Sequence, residues 1–160
     1  MTESLDSTRE AAWRAYIEAS QRLYTQLEED LRVDSGLSFA DYHVLVVLSE
    51  APGQRLRMGE LASRLIFSPS RLTYQITSMQ RRGLVSKEPC PDDRRGSEAV
   101  LTAAGLLTLS EAAPHHLASV RTHLMDDLDD DEVACLTRVF GRLGDRLRAA
   151  CPAPTTHATS

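Results

Sequence analysis

The tetrapeptide Phe67-Ser68-Pro69-Ser70 constrains the fold of this chain more than any other feature of its sequence. Ser68 offers a hydroxyl that can cap a helix, and proline suits the next position because an N–H there would be unpaired anyway. A helix must therefore begin at Pro69, just after a short helical segment at 58–66. We expect this second helix to span 69–82. Its buried face would carry the apolar side chains that recur at spacings of four and three, which are Leu72, Ile76 and Met79.

The opposite face of the 69–82 helix is polar and rich in hydrogen-bonding side chains. Two short helices joined by a tight turn are typical of a helix-turn-helix, whose second helix enters the DNA major groove. Arginine and glutamine can read base edges, and hydroxyls can bind phosphates or bases. The predicted DNA contacts here are Ser68, Ser70, Arg71, Thr73, Tyr74, Gln75 and Ser78. The same pattern also fits a hairpin of a simple helical bundle.

A β-hairpin is predicted directly after this helix. Segments 84–88 and 98–101 alternate like half-buried strands, and a loop at 89–97 joins them. Gly96 permits a tight reversal in that loop, and Arg94 and Arg95 lie at its tip. Arginine suits the narrow, electronegative minor groove, so the hairpin predicts a DNA-binding wing. Alternatively, neighbouring aspartates merely neutralise these arginines.

The charge distribution also favours a polyanionic partner. The chain has 160 residues and a net charge of −5. Residues 54–95 contain nine Arg and Lys and four acidic residues, a net +5, so the remainder carries −10. This asymmetry indicates a basic face on an acidic body, although ordinary surface charge would also produce it.

Four further helices complete a fold that is mainly α with one small hairpin. Helical periodicity predicts them at 9–33, at 38–50, from Thr102 to about 124 and at 129–149. The first should end at Asp34-Ser35-Gly36, and the last should begin after Asp129 as its cap. Pro114 predicts a bend or break near Ala113. Residues 150–160 form a polar tail that we expect to be mobile.

Several classes of protein are disfavoured. No apolar run reaches the roughly 18 residues of a membrane span, and the start lacks the pattern of a signal peptide. Three cysteines without CxxC spacing fit a reducing cytoplasm. No catalytic motif is evident, so we expect no enzyme and no required cofactor. A helical protein-binding adaptor without DNA binding stays open as an alternative.

The hairpin and the residues after it carry a family signature. The pattern D-x-R-x-x-x-x-x-L-T-x-x-G is complete in residues 93–105, and the segments 58–62 and 81–85 also match. Over 9–149 the chain resembles the MarR family of bacterial transcriptional regulators. The resemblance implies a single MarR-type chain (1–160) with a winged helix-turn-helix unit at 38–101 and dimerisation helices at 9–33 and 102–149. It also implies that Arg95 enters the minor groove. Tyr74 departs from the family, because many members carry arginine there.

The implied assembly is a homodimer that binds double-stranded DNA as a repressor. Helices 9–33 and 129–149 have apolar faces larger than the DNA-reading unit could cover, which independently indicates a partner surface. A two-fold dimer predicts a palindromic operator whose half-sites lie about 34–36 Å apart.

Release from DNA by a small aromatic effector is also implied by the resemblance. The predicted pocket residues are Trp13, Tyr16, Tyr42, His43 and His116, each of which could equally be a core or satisfied side chain. One alternative is a zinc-responsive regulator with His43, Glu111 and His115 as ligands. Another is a redox-responsive regulator that uses Cys90, Cys135 or Cys151, of which Cys90 lies near the wing arginines.

Overall fold

The structure is a computed structural model that describes residues 5–90 and 93–150, without the side chains of Arg94, Arg95 and Ala150. Its helices are α1 (Ser7–Ser35), α2 (Phe39–Ser49), α3 (Met58–Leu65), α4 (Pro69–Arg81), α5 (Ala103–His123) and α6 (Asp130–Ala150). Its strands are β1 (Arg55–Arg57), β2 (Val85–Cys90) and β3 (Asp93–Leu101). The chain forms two compact units, of which the first ends at Val120 and the second begins at Arg121. The predicted tail from Cys151 onward lies outside the described residues.

The corner between α1 and α2 is built by local capping. Gly36 adopts a left-handed conformation (φ 67°) and its N–H donates to the Arg32 carbonyl at 3.1 Å, which ends α1. Ser38 and Asp41 then form a reciprocal capping box that begins α2. Both predicted helix boundaries are confirmed. A carboxylate oxygen of Glu28 on α1 also accepts the N–H of Phe39 at 2.7 Å, so α1 helps to cap α2.

The core of the first unit lies beneath the helix-turn-helix. It includes side chains from α2, α3, α4 and the sheet, and its largest fully buried side chains are Leu37, Val44, Leu45, Leu48, Leu61, Leu72, Ile76, Met79 and Val85. Leu72, Ile76 and Met79 are the three residues that the α4 spacing placed inward. Burial of one such side chain stabilises the fold by roughly 1.5–3 kcal/mol. This packing turns the opposite face of α4 toward solvent.

The hairpin differs from its prediction. It is part of a three-stranded antiparallel sheet of order β1-β3-β2, and Glu88 pairs with Glu98 and Pro89 with Ser97. The loop predicted at 89–97 is therefore wrong, because most of those residues continue the strands. Pro89 is tolerated because β2 is an edge strand, where a missing N–H need not break a ladder.

Gly96 does not lie in the tight chain reversal where the sequence placed it. It lies within β3, and an added Cβ would be 2.9 Å from both the Cys90 sulfur and an Asp93 carboxylate oxygen. A larger residue at this position would therefore require the Cys90 or Asp93 side chain to shift.

Pro114 does not break α5, so the break predicted near Ala113 is wrong, whereas the bend expected as the alternative stays a prediction. The helix runs without interruption from Ala103 to His123. Proline removes one backbone hydrogen bond, but Leu109 and Ala112 in the preceding turns are buried. Tertiary packing of this part of α5 therefore outweighs the local preference of proline.

The second unit consists of the end of α5, a short 3₁₀ turn (Met125–Asp127) and α6. Asp129 caps α6 as predicted, since its carboxylate accepts the Glu132 N–H at 2.8 Å and Glu132 accepts the Asp129 N–H at 3.0 Å. None of the described side chains of α6 is buried within one chain. Its exposed apolar side chains include Val133, Val139, Phe140 and Leu147. Within the described ranges no helix has the length and apolar character to cross a membrane.

Candidate nucleic-acid interface

The first turn of α4 is held by the cap that the sequence predicted. The Ser68 hydroxyl accepts the N–H of Arg71 at 3.3 Å, and Pro69 occupies the first helical position. Ile66 ends α3 in a left-handed conformation (φ 56°), and its side chain is 90% exposed. A β-branched residue rarely adopts this conformation, so the turn between α3 and α4 is conformationally strained.

The outward face of α4 carries most of the predicted contacts. Tyr74 is 73% exposed. The guanidinium of Arg71 lies 4.0 Å above the centre of the Phe67 ring, a cation–π contact, and it has no acidic partner among the described residues. The predicted contact residues that are exposed in the structure are Ser68, Ser70, Arg71, Thr73 and Tyr74, whereas Ser78 is half-buried.

Gln75 differs from the other members of this set. We expected it on the outer face, but its side chain is half-buried and its amide nitrogen lies 2.5 Å from a carboxylate oxygen of Asp41. The sequence gives no signal for this contact, because the two residues are 34 positions apart and lie on different helices.

The basic segment is less free than its composition suggests. Arg55 is within 3.4 Å of Glu88 and 3.5 Å of Glu98, and Arg57 is within 3.6 Å of Asp93. Arg64 pairs with Glu60 at 2.6 Å, and Arg82 pairs with Asp41 at 2.7 Å. Four of the cations counted in the sequence are thus neutralised within the chain. Arg71, Arg81 and Lys87 have no acidic partner among the described residues.

The wing arginines are placed only by their backbone. Arg94 and Arg95 lie in β3, at the end of the hairpin remote from α5, and their side chains lie outside the described part of the chain. Pro91 and Asp92, which precede them, also lie outside it. Their role in the minor groove stays a prediction.

The predicted effector residues do not form one group. Trp13 and Tyr16 are exposed neighbours on α1, with ring centroids 6.1 Å apart. Tyr42, His43 and His116 instead gather around a residue that sequence reasoning missed. The ring centroid of Phe39 lies 4.9 Å from that of Tyr24, 4.7 Å from that of His43 and 5.7 Å from that of His116. The ring centroids of Tyr42 and His116 are 4.5 Å apart. We name these five residues, Tyr24, Phe39, Tyr42, His43 and His116, the aromatic cluster.

The histidines of the aromatic cluster are held toward their neutral forms. Loss of hydration lowers the pKa of His43, and it lowers the pKa of His116 together with a smaller effect of the His43 charge. The Nδ1 atom of His116 is buried and has no hydrogen-bond partner among the described residues.

The zinc alternative lacks a site in the structure. Within 5–90 and 93–150, no three His, Cys, Asp or Glu side chains come together as metal ligands would. His43 belongs to the aromatic cluster, whereas Glu111 and His115 are exposed on α5. The predicted set of His43, Glu111 and His115 is therefore wrong, because helical spacing put two ligands on α5 and the fold does not bring the third to them.

Cys90 is buried at the end of β2, beside Gly96, and Cys135 is exposed on α6. Burial opposes oxidation by a dissolved oxidant, which disfavours the Cys90 sensor. Cys151 lies outside the described residues.

The lowered pKa values predict a pH dependence of stability. Unfolded histidines, with an ordinary pKa near 6.5, take up protons more readily than His43 and His116 in the fold. The free energy of unfolding should therefore be highest above pH 6.5 and fall as the pH drops through the lowered folded values. Urea unfolding at pH 7.5 and 5.5 measures this loss. We expect His116→Gln to reduce it and His115→Gln, an exposed control on the same helix, to retain it. Equal losses in all three proteins would contradict the assignment.

Comparison with known proteins places this geometry in a family. The model of the MarR family matches residues 35–96, from the last residue of α1 into β3. The repressor YetL of Bacillus subtilis is 29% identical over 112 residues, a match that covers 70% of this chain and 66% of YetL.

Solved structures match over nearly the whole chain. The MarR-family transcriptional regulator AbsC of Streptomyces coelicolor is 44% identical, with a TM-score of 0.87 over 92% of this chain and 99% of AbsC. Sco3205 of the same organism, a MarR-family regulator solved in complex with DNA, is 32% identical with a TM-score of 0.88 over 96% and 95% of the two chains. The fold, the helix-turn-helix and these likenesses lead to one conclusion: this chain belongs to the MarR family of transcriptional regulators.

Proposed function

We propose that this protein is a cytoplasmic repressor that binds a specific DNA operator, with α4 in the major groove and the wing in the minor groove. The observation that carries the proposal is the exposed face of α4, which presents Ser70, Arg71, Thr73 and Tyr74 from a helix fixed by its cap and core. Hydroxyl groups, and an arginine without an acidic partner among the described residues, can bind base edges and phosphates. The DNA complex of Sco3205 supports the same use of the fold.

The repressor acts as a homodimer in this proposal. The support is the exposure of α6, a helix of 21 residues with no buried described side chain and several exposed apolar ones. An apolar helix face of this size favours contact with a partner, and a second copy of the chain supplies one by two-fold symmetry. A palindromic operator follows from that symmetry.

An aromatic acid bound at the aromatic cluster releases the repressor. Phe39 and Tyr42 supply flat apolar surfaces, and the unpaired Nδ1 of His116 can bind a carboxyl group. A ligand that binds the DNA-free form more tightly must weaken DNA binding by the same factor. No cofactor is needed for this mechanism.

The test is fluorescence anisotropy on the DNA immediately upstream of the protein's own gene and on duplexes selected from a random pool by the wild-type protein. A sequence-specific repressor should prefer one of these to a scrambled duplex, and its affinity should fall steeply with salt. Equal, weak binding to all duplexes, the selected ones included, would refute sequence-specific recognition.

Arg95→Ala separates a DNA reader from a protein-binding adaptor. We expect roughly a tenfold or greater loss of affinity and a salt slope that is shallower by about 1, because one phosphate or groove contact is removed. Lys87→Ala, on the exposed part of β2, serves as a control for simple loss of positive charge. An Arg95→Ala protein with unchanged affinity and slope would exclude the wing from the interface.

A further inference from the structure

Asp41 is the one buried charged residue among those that the structure describes, with 4% of its surface exposed. A buried carboxylate is unfavourable unless hydrogen bonds or opposite charges compensate it. Here both oxygens are occupied. Oδ1 accepts the Gln75 amide at 2.5 Å, and Oδ2 accepts the Ser38 N–H at 3.0 Å and the Arg82 guanidinium at 2.7 Å. A helix cap needs only the Ser38 contact, so the other two require a separate explanation.

Both additional donors come from α4 or its C-cap. Gln75 and Arg82 are seven residues apart, two helical turns, and therefore lie on the same side of α4. Arg82 also donates to the carbonyl of Gly36 at 3.1 Å, the residue that ends α1. One carboxylate thus connects the middle and the end of α4 to the corner between α1 and α2.

This connection does something that core packing does not. Leu72, Ile76 and Met79 hold α4 against the core, but apolar contact is non-directional and allows small rotations about the helix axis. Hydrogen bonds to a charged group are short and directional. Two such bonds at points two turns apart fix the rotation of α4, and with it the direction of Arg71 and Tyr74.

We infer that Asp41 is a positioning residue for DNA recognition, which sets the rotation of α4 through Gln75 and Arg82. The inference rests on the proposed function, because it concerns how the same interface reads sequence. It removes Gln75 from the predicted base contacts and Arg82 from the free cations. Both act through Asp41 and do not touch DNA.

The decisive variant is Asp41→Asn in the full-length chain. A positioning role of Asp41 predicts weaker DNA binding by this variant, whereas a phosphate contact of Arg82 that Asp41 masks predicts tighter binding. The probe is a duplex selected from a random-sequence pool by the wild-type protein, with its scrambled counterpart. If Asp41 positions α4, affinity for the selected duplex should fall about tenfold or more while affinity for the scrambled duplex stays unchanged. If Arg82 is a phosphate contact held back by Asp41, Asp41→Asn frees a cation and both duplexes should bind more tightly. That second result would overturn the inference.

A double-mutant cycle completes the test. Arg82→Gln should weaken binding to the selected duplex, and the double variant should be no weaker than the weaker single variant, because both changes break one link. Asp34→Asn, which removes an exposed carboxylate from the same end of α1, should bind like wild type. Additive losses would overturn the inference.

Two further measurements distinguish failure of the inference from misfolding of a variant and from failure of the proposed function. If Asp41→Asn unfolds, Gln75→Ala and Arg82→Gln leave the cap intact, and each must still lower the preference for the selected over the scrambled duplex; full preference in both would overturn the inference. Circular dichroism verifies the fold of every variant. A wild-type protein that selects no duplex would refute the proposed function itself, an outcome distinct from variants that bind like wild type.

Discussion

Replacing Gly105 with alanine is expected to destabilise the folded chain by about 3 kcal/mol or more, the scale of severe overpacking. Gly105 lies in the first turn of α5, where an added Cβ would be only 2.0 Å from the carbonyl oxygen of Leu84 and 2.9 Å from a methyl group of Leu101. A backbone carbonyl cannot move aside as a flexible side chain can. The first turn of α5 would have to lift away from the sheet.

Lifting the first turn of α5 would also break the hydrogen bonds of Thr102, which adds to the loss of stability. The Thr102 hydroxyl accepts the Gly105 N–H at 2.9 Å and donates to the Gly83 carbonyl at 2.7 Å, so the cap of α5 is bonded to the residue that follows the C-cap of α4. Urea unfolding followed by circular dichroism measures the change. Gly59→Ala is the matched control, because an added Cβ there meets nothing within 4 Å and the change should be neutral or slightly stabilising. Equal stability of Gly105→Ala and wild type would refute the close approach.

Inserting five base pairs between the operator half-sites is expected to reduce affinity by roughly 10³-fold, to the level of non-specific binding. Five base pairs rotate one half-site by about half a helical turn, so that a rigid two-fold dimer can place only one copy of α4 in a major groove. Inserting ten base pairs restores the rotation but lengthens the separation by about 34 Å. Anisotropy titrations of the native, plus-five and plus-ten duplexes distinguish these effects. Unchanged affinity for the plus-five duplex would refute paired major-groove binding.

Local chemistry determined most elements that the sequence predicted correctly. Gly36 ends α1, Ser38 with Asp41 begins α2, and Ser68 with Pro69 begins α4, because each cap depends on residues within four positions of one another. The buried face of α4 also followed from its periodicity. The mainly α fold with a small β-hairpin could therefore be predicted from the sequence alone, whereas the third strand, β1, was not predicted.

The errors arise where distant residues decide the outcome. Pro114 lies within a helix because Leu109 and Ala112 in the preceding turns are buried, and Pro89 lies within a strand because β2 is at the edge of the sheet. The pairing of Gln75 with Asp41 joins helices that are far apart in sequence. Periodicity placed Trp13 on the apolar face of α1 but could not show that this ring is exposed within one chain. The aromatic cluster depends likewise on α5 lying near the start of α2, which no local pattern encodes.

For the proposed function, the arginines of residues 54–95 that already pair with acids affect how the protein would distribute between an operator and other chromosomal DNA. Arg55, Arg57 and Arg64 each lie within 3.6 Å or less of a carboxylate of the same chain. Fewer free cations release fewer counterions from arbitrary DNA, while the acidic body repels it. Under the proposed function, competing sites would then sequester little of the protein, because fewer free cations weaken binding to arbitrary DNA. If the proposed function holds, a small number of molecules per cell would suffice to keep the operator occupied.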